Sequence, residues 1–124
     1  MLSVLLIDDD PDLLEIIRLQ LGDEPDLSLT TCNSPAGAID LALSQKFDSI
    51  VCDYSMPGIN GYSLLQHLRS RGCTARFILY SAKEPDDEIA YALTHGVDGY
   101  LQRLGNPETE IRELKRIIRT SDSK

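Results

Sequence analysis

The chain has 124 residues, 42% hydrophobic and 26% charged, the balance of one globular domain able to build a core without disulfide or metal staples. Twelve Lys and Arg against twenty Asp and Glu leave a formal charge of −8, which disfavours a nucleic-acid phosphate backbone or an anionic membrane as direct partner and leaves cations and basic proteins open. The three cysteines (Cys32, Cys52, Cys73) show no CxxC spacing and the two histidines (His67, His95) lie far apart, so neither a disulfide framework nor a zinc pattern is offered.

Taken in chain order, Ser3–Asp8 (SVLLID) reads as a buried strand, and Asp10 with Pro11 can cap and open a helix. Leu13, Leu14, Ile16, Ile17 and Leu21 recur at helical spacing after it. Leu27–Cys32 (LSLTTC) alternates like a half-buried strand; Ser34 and Pro35 repeat the cap-and-proline start, and Ala38, Ile39, Ala42 and Leu43 form the next stripe. Ser49–Asp53 (SIVCD) is a third short apolar run. The loop YSMPGING follows, with Pro57, Gly58 and Gly61 as turn formers. A helix over about Tyr62 to Arg71 turns Leu64, Leu65 and Leu68 inward, and Phe77–Ser81 (FILYS) is the fourth strand. Glu88–Thr94 is a short helix, with Gly96 as its terminator. Gly99–Gln102 (GYLQ) is the fifth strand. Asn106 and Pro107 start a last helix with the stripe Ile111, Leu114, Ile117 and Ile118. The spacing predicts one domain over residues 1–120 and a frayed tail at 121–124.

Strands alternating with helices imply parallel βα units, and continuous apolar strands fit a sheet covered on both faces. The expected fold is an α/β, doubly wound, five-stranded parallel sheet of order 2-1-3-4-5. In such a sheet ligands bind beyond the carboxyl ends of the strands, where the order reverses. Strands one and three then lie side by side, and both end in acid: Asp8 and Asp9 after the first, Asp53 after the third. Acids after a strand can simply solvate its end or cap the next helix. Three gathered at one edge instead call for a cation, and all-oxygen ligation favours a hard one such as Mg²⁺. Ser81 and Arg103 reach the same edge from strands four and five. Hydroxyl, guanidinium, divalent ion and carboxylate together suit an anionic phosphoryl group, with a carboxylate as nucleophile.

The stretches IDDDPD, VCDYSMPGINGYSLL, ILYSA and GVDGYL together resemble the receiver domains of two-component response regulators, the CheY-like superfamily, across essentially the whole chain. The resemblance implies a flavodoxin-like fold and a phosphoryl group accepted from a histidine kinase or histidine phosphotransfer domain. Carried over by position, Asp53 is the phosphoacceptor. Asp8, Asp9, Asp53 and the Ser55 backbone carbonyl are the ligands of Mg²⁺ (or Mn²⁺). Ser81 is the switch hydroxyl, Ala82 leaves the phosphoryl group room, and Tyr100 is the aromatic that turns inward. The implied output is a changed affinity for a downstream protein or domain at the face of helix four, strand five and helix five, with a second copy of the chain as a further candidate partner. The resemblance implies a phosphoacceptor rather than an enzyme, limited to self-phosphorylation from small donors and self-dephosphorylation.

One segment departs from the family. Where Lys-Pro normally follows strand five, this chain has QRLGNP, with Arg103 at the lysine position and Leu104 at the proline position. A planar guanidinium is not interchangeable with a compact ammonium. Lys83 could bring an ammonium from another direction. Two alternatives therefore stand beside the phosphoacceptor: a receiver-like interaction module that is not phosphorylated, and a haloacid-dehalogenase-like Mg-dependent phosphatase suggested by Asp8-x-Asp10. No apolar run reaches membrane-spanning length, and the opening MLSVLLIDDD turns acidic too soon for a secretory signal, so no membrane insertion and a cytoplasmic location are expected. No output domain follows the fifth helix, which is compatible with a free-standing receiver or a piece of a larger regulator or hybrid kinase.

Overall fold

The computed structural model describes residues 1–120, and the tail expected to fray at 121–124 lies outside the described residues. Seven strands and five helices follow in the order β1 (Leu2–Ile7), α1 (Pro11–Leu21), β2 (Leu27–Cys32), α2 (Pro35–Ser44), β3 (Ser49–Cys52), β4 (Ser55–Met56), β5 (Ile59–Asn60), α3 (Gly61–Ser70), β6 (Arg76–Ser81), α4 (Asp87–Thr94), β7 (Gly99–Gln102) and α5 (Pro107–Arg119). The main sheet is parallel throughout, in the order β2-β1-β3-β6-β7. With the hairpin β4-β5 set aside, this is the expected 2-1-3-4-5 order.

That hairpin is the principal element missed in the sequence. Two residues per strand carry no alternation to read, and the turn formers dominate the segment. Pro57 presets its own φ, and Gly58 at φ 84° takes the left-handed position that a type II turn requires. Elsewhere the helix starts shift by one residue, because Asn60 and Asp86 act as caps: the Asn60 Oδ1 accepts the Ser63 amide at 2.8 Å, and Asp86 accepts those of Glu88 and Ile89.

The strand alternation builds two cores, one on each face. Leu5, Ile7, Ile50, Cys52, Phe77 and Leu79 point to the side covered by α2, α3 and α4. Val4, Leu6, Val51, Ile78 and Tyr80 point to the side covered by α1 and α5. Of the apolar residues that recur along α1, Ile16 is 38% exposed, because Leu13, Leu14, Ile17 and Leu21 already fill the inward face.

Register places the functional edge. Ile7 pairs with Cys52, so the next residue of each strand, Asp8 and Asp53, emerges beside the other. The Asp53 amide donates to the Ile7 carbonyl at 3.1 Å, which extends the ladder one residue into the site. On the far side Ser81 pairs with Gln102, and the Arg103 amide donates to the Ser81 carbonyl at 2.8 Å.

Candidate functional site

The carboxylates of Asp8, Asp9 and Asp53 offer oxygens that all lie within 4.8 Å of one another at the carboxyl edge of the sheet. Asp8 and Asp53 are buried while Asp9 faces solvent. Two carboxylates about 4 Å apart repel by roughly 4 kcal/mol at an effective dielectric near 20. The balancing charge within the chain is small. The Arg103 Nη1 donates to the Asp8 Oδ2 at 3.3 Å, and among the described residues no cation pairs with Asp53 or Asp9. Burial pushes the Asp8 carboxyl from 3.8 up to about 6; the Asp10 amide and Arg103 work against that rise, and the neighbouring Asp53 and Asp9 add to it. An all-oxygen donor set with uncompensated negative charge, two of its members held rigidly by strand register, fits a hard divalent cation.

Gly61 shapes the floor of this site. Its amide donates to the Tyr54 carbonyl at 2.7 Å, and an added Cβ would stand 2.7 Å from the Asp53 carbonyl oxygen and 2.9 Å from a Leu79 methyl. A side chain there would push the backbone that carries Asp53. Beneath, the wholly buried Cys52 thiol donates to the Asp53 carbonyl at 3.1 Å, and burial raises its pKa well above the ordinary value, so it stays neutral filler.

The remaining residues singled out from the sequence divide into those at the edge and those turned elsewhere. Ser81 is buried at the end of β6 and accepts the Lys83 amide at 3.2 Å, with the exposed Ala82 between them. Tyr100 is half-buried on β7, and its hydroxyl donates to the Lys83 carbonyl, tying β7 to the β6–α4 loop. Ser55 opens β4 two residues beyond Asp53. The Lys83 ammonium does not point at the carboxylates. It pairs with Asp86 at 2.8 Å and Glu88 at 2.7 Å, lies 5.3 Å from the Tyr54 ring centroid, and is held above its ordinary pKa by those acids. Asp10 spends its carboxylate on capping α1, accepting the Asp12 amide at 3.0 Å.

Sequence reasoning overlooked Glu110. It is buried in the first turn of α5, and its carboxylate accepts from the Tyr80 hydroxyl at 2.7 Å and from the Leu104 and Asn106 amides at 2.7 and 3.2 Å. Burial alone would raise its pKa, but these three donors and the nearby Arg103 outweigh that and leave it below the ordinary value. Tyr80 is pushed the other way, first by burial and then by its bond to Glu110. A signal was present in the spacing: Glu110 precedes Leu114 by four residues and Ile117 by seven, which sets it on the inward stripe.

Comparison with known proteins places this geometry in context. The family described as Response regulator receiver domain matches residues 4–115. The nitrate/nitrite response regulator NarL of Escherichia coli is 33% identical over 114 residues, covering 90% of this chain and 52% of that protein, so the chain spans about half the length of the curated relatives it matches. Among solved structures, the signal receiver domain of the response regulator NarL from Mycobacterium tuberculosis is 26% identical with a TM-score of 0.83, covering 99% of this chain and 98% of that one. The response regulator domain of Thermotoga maritima CheB, at 21% identity, shares the fold with a TM-score of 0.89 over 100% of this chain and 98% of its own.

Proposed function

The chain belongs to the response regulator receiver domain family of two-component signalling, and from that premise we propose that it is a working phosphoacceptor, taking a phosphoryl group on Asp53 from a phosphohistidine of a kinase or phosphotransfer domain. The observation that carries this reading is the convergence of Asp8, Asp9 and Asp53 within 4.8 Å. In the transfer an Asp53 carboxylate oxygen attacks phosphorus, the P–N bond to the donor imidazole breaks, and the imidazole leaves as the acyl phosphate forms.

Asp8, Asp9, Asp53 and the Ser55 carbonyl are the residues that would hold Mg²⁺ or Mn²⁺. A divalent ion there supplies positive charge against the crowded carboxylates and the phosphoryl oxygens. The chain's own residues do the rest. Register fixes Asp53 against Asp8, the Arg103 guanidinium adds a second positive charge, and the small Ala82 leaves space. Phosphorylation adds acceptor oxygens that the Ser81 hydroxyl can reach by giving up the Lys83 amide. The shift of Ser81 vacates space for the Tyr100 ring, whose hydroxyl ties β7 to the β6–α4 loop, and the face of α4, β7 and α5 changes shape for a downstream partner or a second copy. We place this activity in the cytoplasm. Among the described residues no helix is long and apolar enough to cross a membrane.

One alternative has a specific observation behind it. Arg103 occupies Asp8 through an ion pair at 3.3 Å, as a receiver-like module that binds partners without phosphorylation would tolerate. Incubation with acetyl phosphate and Mg²⁺ decides. A stable, hydroxylamine-sensitive label on the wild type that Asp53→Asn abolishes is the expected result. No label at all would leave the passive module. Multiple turnover of a separate phosphoester, lost in Asp8→Asn and kept in Asp53→Asn, would make the protein a phosphatase, although the capping role of Asp10 speaks against that chemistry.

A further inference from the structure

We propose that Glu110 is a positioning residue: it clamps the β7–α5 loop through the Leu104 amide and so holds the Arg103 guanidinium at the carboxylate edge, in place of the Lys-Pro pair usual in the family. The inference deepens the phosphoacceptor reading and rests on it for its functional meaning.

Three donors from three places converge on this one carboxylate. The Tyr80 hydroxyl comes from β6, the Leu104 amide from the middle of the loop, and the Asn106 amide from the N-cap position of α5. A carboxylate only 7% exposed is costly unless its oxygens are matched, and here both are. The other acid of this helix turn, Glu108, is exposed. The Asn106 side chain makes no capping hydrogen bond for α5, and its own backbone amide is taken by Glu110.

The connection to the site runs through Arg103 and Tyr80. Arg103 directly precedes the clamped Leu104. Its guanidinium carbon lies 5.7 Å from the Tyr80 ring centroid and its Nη1 reaches Asp8 at 3.3 Å. Tyr80 thus meets Glu110 with its hydroxyl and Arg103 with its ring. The Leu104 side chain, 74% exposed, adds nothing to the core; what position 104 contributes is its N–H. Proline has none. The departure from Lys-Pro and the buried glutamate are therefore one device in two parts.

The test uses the full, unphosphorylated chain, so it does not depend on phosphoryl transfer. Amide exchange at Leu104 and ¹⁵N relaxation of the Arg103 Nε are read in wild type, Glu110→Ala, Glu110→Gln and Leu104→Pro. In Glu110→Ala the Leu104 amide should exchange roughly tenfold faster or more, and the Arg103 Nε should become as mobile as that of the exposed Arg112. Glu110→Gln, which can still accept both amides, should restore most of the order. Leu104→Pro should release Arg103 although Glu110 is present. Labelling by acetyl phosphate then completes a cycle: Arg103→Ala should change the rate in wild type and not in Glu110→Ala. An Arg103 Nε equally ordered in wild type, Glu110→Ala and Leu104→Pro overturns the proposal. Should Glu110→Ala unfold, order kept in Glu110→Gln and lost in Leu104→Pro supports the clamp, and equal order in both sinks it. A wild type that takes no label while Arg103 is released as described would defeat the phosphoacceptor reading and leave the clamp standing.

Discussion

Two loops border the carboxylate edge, and they are held by opposite means. The β3–α3 loop is held locally: a proline and a left-handed glycine form its turn, two-residue strands zip it, and Asn60 caps the helix it enters. The β7–α5 loop has a left-handed glycine of its own, Gly105 at φ 91°, but no strand pair zips it, and a side chain from the following helix reaches back to grip its main chain. The first loop is encoded in consecutive residues. The second is held by a side chain that grips the loop locally, through Leu104 and Asn106, and is anchored at long range by Tyr80.

The contrast can be broken most severely at Gly61. Gly61→Ala forces a methyl to within 2.7 Å of the Asp53 carbonyl, and urea unfolding should show a loss of about 3 kcal/mol, in the range of overpacked cores. A loss under about 0.5 kcal/mol would mean that the first loop yields as easily as a surface segment.

Asp8 joins the two loops, since it faces Asp53 on one side and Arg103 on the other. With its folded pKa raised from 3.8 to about 6, the folded protein holds more protons than the unfolded chain between those values. Metal-free stability should therefore fall as pH rises from about 4 to about 6, and Asp8→Asn should flatten that slope. At pH 7 the variant should be more stable than wild type by about 2 kcal/mol without divalent ions, and the advantage should shrink as Mg²⁺ is added. A variant less stable than wild type at pH 7 without metal would show that Arg103 already compensates the site.

The two smallest effects compare the loops directly. Tyr80→Phe removes one donor to Glu110 and should cost about 1 kcal/mol. Gly58→Ala places a Cβ at φ 84° with no steric neighbour, so its cost should come from backbone preference alone, about 1 kcal/mol. Matched urea denaturation with unchanged slope would test both. If Tyr80→Phe costs nothing, the second loop is not held through that hydroxyl.

The convergence of Asp8, Asp9 and Asp53 was legible because three independent signals agreed: strand ends, acid placement and the topology of alternating elements. Ser81 and Arg103 were legible for the same reason, each following a recognisable strand. Glu110 was missed although its spacing set it on the inward stripe, because a charged residue on an amphipathic helix is ordinarily solvated and its partners Tyr80, Leu104 and Asn106 carry no pattern that points to it. Ile16 shows the converse, an apolar residue at helical spacing that stays exposed because the inward face of its helix was already full. The hairpin β4-β5 was hidden by length. Strands of two residues have no period.

The amide of Leu104 constrains the routes by which this sequence can change. Its side chain lies outside, so position 104 should accept almost any replacement that keeps an N–H, while proline, common in kindred proteins, becomes costly as long as Glu110 is in place. If the clamp holds, exchange for the commoner pair should follow an order: the glutamate is replaced before the proline is tolerated, and a graft that swaps both loop residues first should give a weakened intermediate.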